Sequence, residues 1–189
     1  MFSDFAYRQE PCEIRGQPER VVLTRNKDSV NPADHEHAYK GLFTPKSIVE
    51  PGDLVRLDRL APLIVLSLRL NTSRDKTTIM VESNGTAAVQ RLKKQYDSND
   101  NPIGEDFVTI VETPGFIRLV SGDMRQRDPG LLATTTHVLQ VPINTEVPRP
   151  KDGGRPARIV FEGQSFEVAV VDSYKYPGAL YVQLTEDHR

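Results

Sequence analysis

Prolines and glycines punctuate this chain so often that a long helix has nowhere to form. Fourteen prolines and twelve glycines are spread over 189 residues. Few windows keep apolar residues at i, i+3, i+4 and i+7 without one of them intruding. Short β-branched and apolar runs bounded by turn residues recur instead, which is the pattern of an all-β domain. The runs read as strands include Arg20–Thr24, Leu54–Leu57, Leu63–Leu70, Thr77–Glu82, Ala87–Leu92, Phe116–Val120 and Thr134–Val141. In the second half of Leu63–Leu70, Leu66, Leu68 and Leu70 alternate with Ser67 and Arg69, so one face is expected to be buried.

Two places predict hairpins. Asn84-Gly85 lies between two strand-like runs, and an Asn-Gly pair suits the positive φ angles of a type I′ turn. Further on, Arg91–Tyr96 and Phe107–Val111 flank the turn-rich stretch Asp97–Gly104, which is longer than a tight hairpin needs. This predicts an extended hairpin that stands away from the body. Its polar tip buries too little to order itself alone. Tyr96, Asn101, Pro102 and Ile103 are the candidate interface residues at its end. The chain closes on a three-stranded meander, with Arg158–Phe161, Phe166–Val171 and Ala179–Leu184 separated by Gly163 and by Tyr176-Pro177-Gly178.

The expected fold is a small β-barrel, or a sandwich, with long loops, the extended hairpin and an irregular N-terminal arm. Residues 1–40 are polar and turn-rich and read as the arm; residues 41–189 read as a single barrel domain. No internal repeat is visible.

Composition narrows the function. Lys and Arg number 24 against 26 Asp and Glu, which argues against a mainly electrostatic nucleic-acid binder. One cysteine, Cys12, excludes an internal disulfide framework. The longest apolar run, Leu60–Leu66, is broken by Pro62 and is too short to span a bilayer, so no membrane is expected. The N-terminus lacks an apolar signal core, which leads us to expect a product made in the cytoplasm.

Chemistry-bearing clusters are sparse. Asp34-His35-Glu36-His37 is the one cluster of metal-ligand types, and two histidines fall short of the three or four ligands zinc requires. Cys12 sits among Glu10 and Glu13, which disfavours a thiolate paired with His137. Asp53, Asp58, Asp172, Glu186 and Asp187 read as turn or surface carboxylates. No phosphate-binding loop is present. Arg91, Lys93 and Lys94 form a small basic run near Tyr96, offset by Asp97 and Asp100. The expectation is no enzyme, with no catalytic residue, cofactor or metal.

The meander carries a resemblance. Arg158-Ile159-Val160-Phe161, Gly163, Phe166, Val168, Val171-Asp172, Pro177-Gly178 and Leu180-Tyr181-Val182 resemble the C-terminal part of tailed-phage neck proteins of the head-closure (stopper) or head–tail connector kind. Ser47-Ile48-Val49, Pro51-Gly52-Asp53-Leu54-Val55 and Asp128-Pro129-Gly130-Leu131-Leu132 are similar in character further upstream. The resemblance implies a structural virion protein of the bacteriophage neck. It implies a homo-oligomeric ring that closes the DNA exit channel, with a portal or adaptor protein above and a tail terminator or tail-completion protein below. Genomic DNA would pass through without sequence-specific binding, and the virion neck would be its final location. The alternative is a β-barrel module that binds nucleic acid or a small ligand outside any ring.

Overall fold

The computed structural model of the chain describes residues 2–26, 36–150 and 156–187. The first barrel is built from β1 (Gln9–Ile14), β2 (Gln17–Arg25), β3 (Ala38–Phe43), β4 (Leu54–Leu57), β5 (Leu60–Leu70) and β6 (Lys76–Glu82). The second is built from β7 (Gly85–Tyr96), β8 (Pro102–Leu119), β9 (His137–Pro142), β10 (Arg158–Phe161), β11 (Gln164–Tyr176) and β12 (Ala179–Glu186). The first closes in the order β1-β2-β3-β6-β5-β4, with Ile14 opposite Val55 at the seam. The second closes in the order β7-β8-β9-β12-β11-β10, with Ile159 opposite Val89. Adding six to each strand number of the first barrel reproduces the second, so the fold is a duplication of one six-stranded antiparallel barrel.

The all-β barrel reading is thus correct, and three finer expectations change. First, the supposed N-terminal arm is largely wall. β1 and β2 pair through a two-residue turn at Arg15 and Gly16, both with positive φ as in a type I′ hairpin. The body from residue 41 onward is therefore the rest of one barrel plus the whole of a second. Second, Asn84-Gly85 joins the barrels rather than turning a hairpin. β6 and β7 do not pair, and the Asn84 side chain docks on the edge of β8. Its Nδ2 donates to Ile117 O at 2.7 Å and its Oδ1 accepts from Ile117 N at 2.8 Å. Third, Phe107–Val111 and Phe116–Leu119 are parts of one strand: β8 continues through Pro114-Gly115 as an 18-residue strand. Proline is tolerated there because β9 pairs with β8 only from Phe116 to Leu119, so no ladder bond is lost on that side.

Alternation fills each core. Ile14, Val21, Phe43, Val55, Leu63, Val65 and Met80 point into the first barrel. Val89, Leu139, Val141, Ile159, Val168, Val182 and Leu184 fill the second. β5 is buried on both faces over Leu63–Leu66. Leu63 and Val65 face their own core, while Ile64 and Leu66 join Phe116 and Ala179 in a cluster between the barrels. β12 repeats the device. Leu180, Val182 and Leu184 face inward, and the outward Tyr181 and Gln183 are covered by the segment around α1 (Gly122–Arg127). Gln183 Oε1 accepts from Leu132 N at 2.9 Å and Thr135 Oγ1 at 2.8 Å, and its Nε2 donates to Gly130 O at 2.9 Å. Buried amides are tolerated where every polar atom finds a partner, as this one does.

Two turns, one from each barrel, meet where the barrels pack together. Gly178 N, in the β11–β12 turn, donates to Leu66 O at 2.9 Å, and Gly178 O accepts from Ile143 N at 3.0 Å. Gly52, in the turn before β4, donates its N–H to Val65 O at 2.9 Å. The Pro51-Gly52-Asp53 and Pro177-Gly178 motifs singled out in the sequence meet here.

Candidate interaction site on the projecting hairpin

β7 and β8 pair from Gly85 opposite Gly115 out to Tyr96 opposite Pro102. The barrel wall uses only the base of that ladder: β10 pairs with Ala87–Gln90, and β9 pairs with Phe116–Leu119. Beyond these contacts Arg91–Tyr96 and Pro102–Val108 have only each other as strand neighbours among the described residues. The hairpin expected to project does so. A bulge between Val89 and Gln90, where β8 carries an extra residue, marks the point at which it leaves the wall.

The tip is held by one side chain. Asp97 Oδ1 accepts from Asn99 N and from Asn101 N, each at 2.8 Å, and its Oδ2 accepts from Asn101 Nδ2 at 3.1 Å. Asp97 N donates to Asn101 O at 2.9 Å, and Asp100 takes a positive φ of 59°. A self-bonded Asx turn of this kind shapes the tip without buried apolar area. Asn101 is therefore engaged in shaping the tip. Ile103 stands 64% exposed beside it. Tyr96 and Pro102 oppose each other in the backbone ladder, and their side chains lie outside the described ones.

The hydrogen bonds from the Asn101 backbone, the Asn101 amide and the Asn99 backbone hold the Asp97 carboxyl below the usual range. A depressed folded pKa means that the turn's stabilisation is present above the ordinary aspartate value and is lost as pH falls through the lower folded value. In an NMR titration the amide protons of Asn99 and Asn101 are expected to shift together, with a midpoint below about 3.9. A midpoint at or above that value would contradict this account of the tip.

Along the shaft the strands have opposite charge. Arg91, Lys93 and Lys94 lie on β7, and Glu105 and Asp106 on β8. Lys93 is opposite Asp106 and Lys94 opposite Glu105. The basic run read from the sequence is thus matched by acidic residues across the hairpin rather than only by those at its tip. Val108 and Ile110 are exposed near the base. Phe107 lies under the Arg158 guanidinium, 3.9 Å from it, on the way back to the barrel.

The other sequence candidates are scattered. Asp34 and His35 lie outside the described residues; the His37 ring sits 5.2 Å from that of Phe116 between the barrels. Cys12 is buried in the first core, and burial, followed by Glu19, pushes its thiol up to about 12. His137 begins β9 of the second barrel, edge-on to Phe166 at 4.8 Å, and burial lowers its pKa. The structure does not bring these two together. Asp53 accepts from Arg15 Nε at 2.7 Å and from Glu50 N at 2.8 Å, which fixes the turn before β4. Asp172 caps the local backbone through Tyr174 N at 2.7 Å, and Asp187 accepts from Arg158 Nε at 2.8 Å. Among the described residues no three His, Cys, Asp or Glu side chains gather as a metal site needs.

One cavity was not foreseen. About 170 Å³ lies where the barrels meet, lined by Asn26, Met80 and Val81 on one side and by Phe116, Arg118 and Gln140 on the other. Gln140 is buried and its Oε1 accepts no hydrogen bond from the protein. The volume suits a few ordered waters and falls short of the roughly 300–1,000 Å³ of an ordinary ligand pocket. Sequence could not reveal it, because its lining comes from strands of two barrels. Neither a scan against known protein families nor a search of curated protein sequences finds a match to this chain.

Proposed function

We propose that this chain is a structural subunit of a tailed-phage neck. In this reading it forms a ring that closes the DNA exit channel and joins the portal or adaptor side to the tail. The observation that carries the reading is the hairpin: a two-stranded arm, charged along its shaft and apolar at Ile103, Val108 and Ile110, projects from a pair of packed barrels. A rigid body with a projecting arm suits work done at interfaces between subunits. The neck-like residues support it by their placement, since Arg158–Phe161, Phe166–Val171 and Leu180–Val182 make up the wall β10-β11-β12. The work assigned to the chain is mechanical. It needs a sealed ring, surfaces for the proteins above and below, and no group that reacts.

Disrupting the gene in a phage that encodes it is expected to yield DNA-filled heads that leak their genome and do not join tails. Electron microscopy of the lysate shows this directly, and normal tailed particles would overturn the reading.

A further inference from the structure

We infer that copies of this chain join head to tail through their hairpins, the basic β7 edge of one copy pairing antiparallel with the acidic β8 edge of the next. The inference deepens the ring reading above and takes its setting from it.

The first observation is the backbone. From Arg91 to Tyr96 on β7, and from Pro102 to Pro114 on β8, the strand side facing away from the hairpin pairs with no other described strand. A row of outward N–H and C=O groups on an extended strand is a template for another strand. Strand addition to such an edge is a common mode of protein recognition.

The second observation is charge. Lysines on an edge ordinarily serve to keep strands apart. Here the two edges differ in sign: β7 carries Arg91, Lys93 and Lys94, and β8 carries Glu105 and Asp106. Two β7 edges repel, and so do two β8 edges, because like charges directly opposite are unfavourable. Only β7 against β8 is left. This excludes the two-fold arrangement, in which the same edge meets itself, and selects the heterologous one, which builds a ring when its rotation closes.

The third observation is register. Within the hairpin Lys94 faces Glu105, and Lys93 faces Asp106. In an antiparallel ladder the residues that bond inward alternate with those that bond outward. Repeating the same register between copies sets outward-bonding residues of β7 opposite outward-bonding residues of the neighbouring β8. It also keeps side chains on matching faces. Lys94 of one copy then faces Glu105 of the next, and each basic strand lies between two acidic ones. The hairpins form a continuous sheet of alternating charge.

The test uses the full chain and two variants, Lys93→Glu/Lys94→Glu and Glu105→Lys/Asp106→Lys. The first has two acidic edges and the second two basic edges. Light scattering coupled to size exclusion, at about 50 mM salt where surface charges are weakly screened, is expected to show assembly of the parent chain and monomers of each variant. An equimolar mixture of the variants is expected to assemble again, because an acidic β7 edge then meets a basic β8 edge. The mixture leaves each hairpin mismatched internally, so damage to the fold alone would not be rescued. Raising salt to about 500 mM should weaken assembly of the parent about ten-fold or more. A monomeric parent chain, or a mixture that stays monomeric, overturns the inference. Failure here leaves the neck reading to the particle experiment: variants that still join tails would place the ring contacts on the barrels. Normal particles without the gene would overturn the neck reading even if the chain assembles in solution.

Discussion

Gly178→Ala is expected to lower stability by about 3 kcal/mol or more, near the top of the range for overpacked sites. An added Cβ would lie 2.0 Å from Val65 O, 2.5 Å from Gly52 N and 3.0 Å from Pro51 C. All three are backbone atoms, so no side chain can rotate away. Relief requires moving the β11–β12 turn off β5, which breaks the bond from Gly178 N to Leu66 O. For a chain of this size the loss corresponds to a fall in melting temperature of roughly 6–12 °C. Gly104→Ala supplies the contrast: nothing lies within 4 Å of its added Cβ, and its φ is not positive. That variant is expected to melt within about 2 °C of the parent. If Gly178→Ala also melts within about 2 °C, the turn is not held against β5 as described.

The contrast between these two glycines marks where sequence reading reaches its limit. Glycine-bearing turns are visible in sequence, but whether a turn meets backbone from another barrel is not. The closing meander was legible because Phe166, Val168, Leu180, Val182 and Leu184 obey simple alternation toward one core. β5 was only half legible. Its run Leu63–Leu66 is continuously apolar because a second barrel covers the outer face, and one strand's pattern cannot say what covers it. The duplication was hidden for a related reason. A barrel constrains which strands pair and which face is apolar, and many unrelated sequences satisfy both. Asn84-Gly85 misled because turn propensity was weighed without the partner: the Asn84 amide bonds the β8 edge at Ile117, and tertiary pairing overrides the local preference. At the hairpin the sequence conveyed the projection and the polar tip. The opposed charges of Lys93 and Asp106 emerge only once the register is known.

Ending the chain after Gly163 is expected to unfold the second barrel and leave the first one folded. The cut removes β11 and β12, two of the six strands and the whole of the wall that joins β10 to β9. It deletes Phe166, Val168, Leu180, Val182 and Leu184 from the core. At about 1.5–3 kcal/mol for each large apolar side chain, their burial is comparable to the whole stability of an ordinary domain, about 5–15 kcal/mol. The cut also removes Gln183 and Tyr181, which anchor the segment around α1. A single barrel from residue 41 onward would collapse as one unit. The two-barrel topology predicts otherwise, because the first barrel closes on itself through β1 and β4 using only residues before Ser83. Loss of Ala179 uncovers Ile64 and Leu66 on its outer face, so the truncated protein should also self-associate at higher concentration. Hydrogen exchange followed by mass spectrometry resolves the two halves. Slow exchange should persist across β1–β6 and vanish across β7–β10. Protection kept in Gly85–Phe161 would show that β11 and β12 are dispensable to the second barrel, and protection lost throughout would show that the first barrel depends on the second.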